Sequence, residues 1–357
     1  MHLILENGVT FKGKSFGAQR EVIGEVVFTT GMTGYLETLT DKSYYGQIIV
    51  QTFPLIGNYG VIPPDFEGDS VSASAYIVRQ WCQEPSNFRS EGNLDTFFKS
   101  KNIVGLYDID TRALTKIIRE YGTMNGVITN NPDMLDIARV KSYKVLSAVA
   151  SVTSKKMESF TCENPKYNIA LLDYGLKENI KRELIKRGCN VYVFPGGSSA
   201  ADIMAVKPDG IMLSNGPGDP ADNPEIIETL KVLMVENIPM FGICLGHQLL
   251  ALASGFKTAK LKYGHRGANQ PVLDISTGRV YITSQNHGYA VLSDSIDKNT
   301  AAESFYNVND KTCEGIDYIK KSVFSVQFHP EACGGPLDTT FLFDKFIKMI
   351  GGESKCL

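Results

Sequence analysis

The sequence predicts two α/β domains in tandem: a β-rich N-terminal domain, and a C-terminal domain whose mostly parallel sheet is covered by helices. Three observations predict this. The chain has 357 residues, more than the roughly 150 that a single domain usually takes. Residues 1–150 carry short apolar runs parted by glycines, whereas from Tyr167 onward strand-like and helix-like segments alternate. Between the two, residues 151–166 are polar and hold little from which to build a core, which makes them the expected linker between domains 1–150 and 167–357.

In the first domain, Leu3 to Leu5, Val22 to Phe28, Gln47 to Thr52, Ser74 to Val78 and Ile103 to Leu106 read as strands. One helix is well marked. Asp110 supplies a cap, Leu114, Ile117 and Ile118 recur at helical spacing, and Gly122 supplies a stop. In the second domain, Ile169 to Leu172, Val191 to Phe194, Gly210 to Leu213 and Pro239 to Ile243 read as strands. Lys177 to Arg187, Glu225 to Glu236 and His247 to Ala253 read as the helices between and after them. Sites in such sheets lie at the carboxyl ends of the strands.

Composition narrows the function. Lys and Arg number 36 against 39 Asp and Glu, for a net charge of −3, and no basic block suggests a nucleic-acid partner. No apolar run approaches the roughly 18 residues of a membrane span, and the N-terminus lacks a basic leader, so a cytoplasmic protein without a membrane partner is expected. The seven cysteines form no C-x-x-C pair, which argues against both a disulfide framework and a thiolate zinc site. No metal ligand set is expected.

The chemistry gathers in the second domain. Gly242-Ile243-Cys244-Leu245-Gly246 lies between an apolar strand and a helical run, the pattern of a nucleophile elbow with sulfur in place of a hydroxyl. So sharp a turn leaves no room for a Cβ two residues before or after its centre. It also sets the sulfur at a helix N-terminus, which favours negative charge. Taken alone, the pattern equally suits a buried core cysteine between turn glycines. Further on, an apolar strand ends in His329-Pro330-Glu331, where the two ionisable side chains, two apart in an extended segment, project the same way. A carboxylate beside an imidazole fixes its tautomer and stabilises the imidazolium formed when a thiol gives up its proton. Cys244 as nucleophile, His329 as base and Glu331 as orienter make a triad for acyl transfer. The loop Ser214-Asn215-Gly216-Pro217-Gly218-Asp219-Pro220 could add backbone N–H groups to that of Leu245 around an oxyanion.

In these segments, and in their order, the second domain resembles the class I (triad) glutamine amidotransferases over about 190 residues. The first domain, through Thr29 to Tyr44 and Pro54 to Gly60, resembles the N-terminal domain of carbamoyl-phosphate synthetase small subunits. The resemblance implies a glutaminase that forms a γ-glutamyl thioester and passes ammonia to a large subunit, which makes carbamoyl phosphate. It implies glutamine held by Ser43, Gly216, Gly218, Leu245, Gln248, Asn286, Gly288 and Tyr289, between the domains. It also implies no cofactor on this chain, ATP and Mg²⁺ on the large partner, and a heterodimer that could assemble further. Three positions depart from the usual family pattern: Lys42 replaces a common Pro, Tyr289 a common Phe, and Cys333-Gly334 a common Ser-Pro.

Gly8 to Ser15 matches G-x-x-x-x-G-K-S, but Asn7-Gly8 between short alternating runs is a hairpin signal, so nucleotide binding is not expected there. Two other readings compete: an amidotransferase component of another synthase, which leaves residues 1–150 without a role, and a catalytically silent docking subunit, against which the intact triad argues.

Overall fold

The computed structural model describes residues 1–332 and 334–352 and divides into two compact units, Met1–Ala148 and Val149–Leu357. The first holds an eight-stranded mixed sheet. Val22–Thr29, Gln47–Gln51, Ala75–Ile77 and Val104–Tyr107 run parallel at its centre, each close to the run read from sequence. Helix Thr111–Tyr121 forms as its signals predict. The Asp110 carboxylate accepts the Ala113 N–H at 2.9 Å, Leu114 and Ile118 are buried, and Gly122 ends the helix at φ +97°. The G-x-x-x-x-G-K-S segment is a hairpin. His2–Leu5 pairs with Thr10–Lys12 around Gly8 at φ +88°, and Lys14–Gly17 then continues as another strand. With no helix following the loop, it has no phosphate cradle.

The second unit is built on a ten-stranded sheet. Cys189–Pro195, Tyr167–Asp173, Gly210–Leu213, Met240–Ile243 and Val323–Val326 lie side by side in parallel. Alternate residues feed opposite faces. Ala170, Leu172, Ile211 and Leu213 pack towards helices Pro224–Leu233 and Leu245–Ala253. Ile169, Leu171, Met212, Phe241 and Phe324 pack towards helices Glu178–Lys186 and Phe341–Ile350. Phe241 and Phe324, partners across adjacent strands, stack with ring centroids 4.2 Å apart.

Two features of this unit differ from the sequence reading. Beyond Val323–Val326 the sheet continues antiparallel through Cys313–Tyr318, Ala301–Asn307, Thr258–Asp274 and Val280–Val291. These strands mix polar and apolar residues and are broken by register shifts, so no clean period announces them. Residues 151–166, read as a linker, carry structure of their own. Val152 is buried, Ser154 N–H bonds the Asp173 carboxylate at 2.8 Å, and Glu158–Phe160 adds an edge strand beside Cys189–Pro195. An edge strand needs only one covered face, and its polarity had masked it.

Candidate active site

Strand Met240–Ile243 runs straight into helix Leu245–Ala253 through Cys244, whose backbone sits at φ +54°, ψ −101°. A non-glycine residue there is strained and must be held by its surroundings. The Cys244 N–H bonds the Val326 carbonyl of the neighbouring strand at 2.9 Å, and the Gly246 N–H bonds the Ser214 carbonyl at 3.1 Å. The two glycines are sterically required. A Cβ on Gly246 would stand 2.7 Å from both the Leu213 Cβ and its carbonyl oxygen, and one on Gly242 would stand 2.7 Å from Leu250 Cδ1. Leu245 is the first residue of its helix, so its N–H has no intrahelical acceptor and points out at the elbow.

The strand parallel to the elbow strand leads to His329, the expected base. Ile243 and Val326 are register partners, and the chain beyond Val326 carries His329 to a bridge with Ser284, where its N–H bonds the Ser284 carbonyl at 2.9 Å. His329 Nδ1 lies 2.6 Å from Glu331 Oε1, and both side chains are fully buried. Nδ1 is thereby committed to the carboxylate. Nε2 makes no conventional hydrogen bond, and the Cys244 thiol is the group that addresses it. Burial and Lys177 both push the imidazole towards its neutral form, but Glu331 and Cys244 outweigh them and raise it to about 9. Burial in turn pushes the Glu331 carboxyl up, and His329 and Lys177 reverse this to hold it below the usual carboxylate range.

Around this triad stand groups that the motifs did not flag. Lys177 Nζ is 3.8 Å from Glu331 Oε1, and the Asn179 amide donates to the Glu331 carbonyl. The Lys177 N–H bonds Asn215 Oδ1 at 3.0 Å, and Asn215 Nδ2 bonds the Gly175 carbonyl at 3.0 Å. Lys177 follows the carboxyl end of strand Tyr167–Asp173, so its position was the available signal. The loop holding Gly216 and Gly218 packs on the elbow. A Cβ on Gly216 would overlap the Tyr174 carbonyl oxygen and stand 2.7 Å from Leu245 Cδ2, while Gly218 sits at φ +90°. Asn286 turns its carbonyl to the Cys244 sulfur at 3.7 Å. Gln248 donates to the Tyr289 carbonyl at 2.7 Å and to Gln327 at 2.9 Å, which ties the helix to the strand carrying Asn286, Gly288 and Tyr289. Ser43 belongs to the first unit, buried in the turn Lys42–Tyr44 with its N–H on the Asp41 carboxylate at 2.9 Å. Cys333 lies outside the described residues.

Comparison with known proteins agrees in both halves. Residues 3–128 match the carbamoyl-phosphate synthase small chain CPSase domain, and residues 170–349 match the class I glutamine amidotransferases. The carbamoyl phosphate synthase small chain of Clostridium perfringens is 49% identical over 348 residues, covering 97% of this chain and 98% of its own. Those of Bacillus thuringiensis subsp. konkukian and Fusobacterium nucleatum are 49% and 48% identical, each over 99% of this chain and over 96% and 99% of their own lengths.

Proposed function

Since the chain belongs to the carbamoyl phosphate synthase small-chain family, we propose that it is the glutaminase that supplies ammonia to a large, ATP-using chain for carbamoyl phosphate synthesis. The observation that carries this is the buried Cys244–His329–Glu331 arrangement on a strained elbow. The Cys244 sulfur attacks the side-chain amide carbon of glutamine, and the amide oxygen takes up the negative charge beside the Leu245 N–H and the Gly216–Gly218 loop. His329 Nε2 carries the thiol proton and gives it to the leaving nitrogen, so the C–N bond breaks and ammonia departs from a γ-glutamyl thioester. Water, deprotonated by the same imidazole, adds to the thioester and expels the thiolate, releasing glutamate. Glu331 holds the tautomer throughout.

Gly216, Gly218, Leu245, Gln248, Asn286, Gly288, Tyr289 and Ser43 would hold the glutamine, a reading supported by the family pattern. Removing one hydrogen bond to a charged ligand group costs about 1.5–3 kcal/mol, so Ser43→Ala should raise the KM for glutamine about ten- to hundredfold. An unchanged KM would confine the site to the second unit. The chain itself would need no cofactor, with ATP and Mg²⁺ used by the large chain, and the complex would be a cytoplasmic heterodimer able to assemble further. Among the described residues no helix is long and apolar enough to cross a membrane. A role in another synthase leaves the match over residues 3–128 without purpose.

The deciding experiment uses the complex with the large chain. In Cys244→Ser, carbamoyl phosphate synthesis from glutamine should vanish while synthesis from added ammonium salt persists. Loss of both in a complex that still assembles would put Cys244 in the synthetic step and overturn the proposal.

A further inference from the structure

Behind the strand that carries Asn286, three buried side chains from three strands converge: His265 from Thr258–Asp274, His287 from Val280–Val291 and Glu314 from Cys313–Tyr318. Their ligand-type atoms all lie within 4.8 Å of one another. His265 and His287 are register partners, with ring centroids 4.9 Å apart.

Each imidazole is fixed from outside by one nitrogen. His265 Nε2 is 2.8 Å from Asp310 Oδ2, and His287 Nδ1 is 2.8 Å from the Tyr289 carbonyl oxygen. A carbonyl oxygen only accepts, so His287 carries a proton on Nδ1, and the neutral ring offers a lone pair at Nε2. That nitrogen faces Gln285 Oε1 at 3.1 Å. In this orientation of the amide, two lone pairs meet with no proton between them. On the other imidazole, His265 Nδ1 lies 3.5 Å from Glu314 Oε1, too far for a good hydrogen bond and close enough only for a loose charge pair that a bound cation would replace. In the fully buried Glu314 carboxylate, Oε1 accepts a long hydrogen bond from Asn307 Nδ2 at 3.3 Å and Oε2 has no hydrogen-bond partner.

Weakly engaged nitrogens and oxygens at a common point, with each histidine anchored on its outer nitrogen by a carboxylate or a carbonyl, are the arrangement by which proteins orient metal ligands. We propose that His265 Nδ1, His287 Nε2 and a Glu314 oxygen form a binding site for a borderline divalent cation such as Zn²⁺, with Gln285 Oε1 placed to complete four-coordination. Two nitrogens and two oxygens suit zinc, whose bonds of about 2.0–2.2 Å would draw the ligand atoms together by about an ångström. The ion would fasten three antiparallel strands beside Asn286, a structural role distinct from the chemistry at Cys244. No motif announces it, because the three residues come from separate strands at no regular spacing.

The test is Co²⁺ and Zn²⁺ titration of the full chain in the Cys244→Ala background, so that the active-site thiol contributes nothing. One equivalent of Co²⁺ with the visible absorption of a four-coordinate ion, displaced by Zn²⁺, is expected. Asp310→Asn, which keeps the shape of a half-exposed side chain, should weaken binding about 10–100-fold, with its fold checked by circular dichroism. Glu314→Gln, with its fold checked by circular dichroism, should weaken it at least as much. Absence of stoichiometric uptake, or uptake of equal affinity in Asp310→Asn and Glu314→Gln, would mean that the cluster is a hydrogen-bonded network only and overturn the site.

Discussion

Replacing Glu331 with Gln keeps the shape of the side chain and removes its charge. In the native protein His329 is raised from 6.5 to about 9. Burial, the largest influence, and Lys177 both act against this rise, and Glu331 is the strongest group acting for it. At about 1.4 kcal/mol per pK unit, the rise represents roughly 3 kcal/mol favouring the imidazolium. Without the carboxylate, burial and Lys177 would leave the ring neutral at pH 7. The imidazolium that forms as Cys244 attacks would lose up to that amount, a fall in kcat/KM of about 10²-fold at 1.36 kcal/mol per tenfold. The same change shows in stability. A histidine raised on folding stabilises fully below its unfolded value of 6.5 and loses that contribution as pH climbs through about 9. His265 is raised to about 9 as well: burial, its largest influence, pulls it down, and Asp310 and Glu314 outweigh that, so part of the loss in this window is common to both proteins. Urea midpoints measured across it should therefore fall more steeply in the native protein than in Glu331→Gln. A folded Glu331→Gln protein with kcat/KM within about threefold of native, and with the same loss of stability with pH, would refute this account.

Two further predictions follow from local geometry. Gly246→Ala drives a methyl group to 2.7 Å from Leu213 Cβ and its carbonyl. It should cost about 1–3 kcal/mol in urea unfolding and remove most glutaminase activity, and a fully active variant of native stability would contradict the reading of the elbow. Asp110→Ala, which deletes the cap on the Ala113 N–H, should destabilise the first unit by about 1 kcal/mol, seen as a lower thermal midpoint, with the kcat of glutamine hydrolysis unchanged.

Much of this was legible in the sequence because the signals were local. The parallel strands announced themselves as short apolar runs, and Asp110 and Gly122 bracketed their helix. The elbow was legible because its steric demand falls on fixed positions, Gly242 and Gly246. His329 and Glu331 were expected to meet across extended chain; they do meet, but the Pro330–Glu331 segment is a turn closed by the Ala332 N–H on the His329 carbonyl at 3.3 Å, and it is this turn that brings the carboxylate back to the ring. What escaped depended on long-range contact. Lys177 matters through an ion-pair distance to a residue far along the chain. The antiparallel strands from Thr258 to Tyr318 are held by pairing across bulges, and no period within any one of them betrays it. The edge strand Glu158–Phe160 was hidden by its polarity.

The proposed nucleophile is tied to the strand that leads to the proposed base: Ile243 is paired with Val326, and the Cys244 N–H is bonded to the Val326 carbonyl. A shift of this strand pair would carry Cys244 and the root of the His329 segment together, while the bridge from His329 to Ser284 fixes the far end of that segment. Slippage of the ladder is the displacement that would part them. A one-residue slip would turn alternate side chains to the opposite face and drive Phe324 out of its stack with Phe241. The register that sets Cys244 near the His329 segment is therefore held in part by the stacked rings of Phe241 and Phe324.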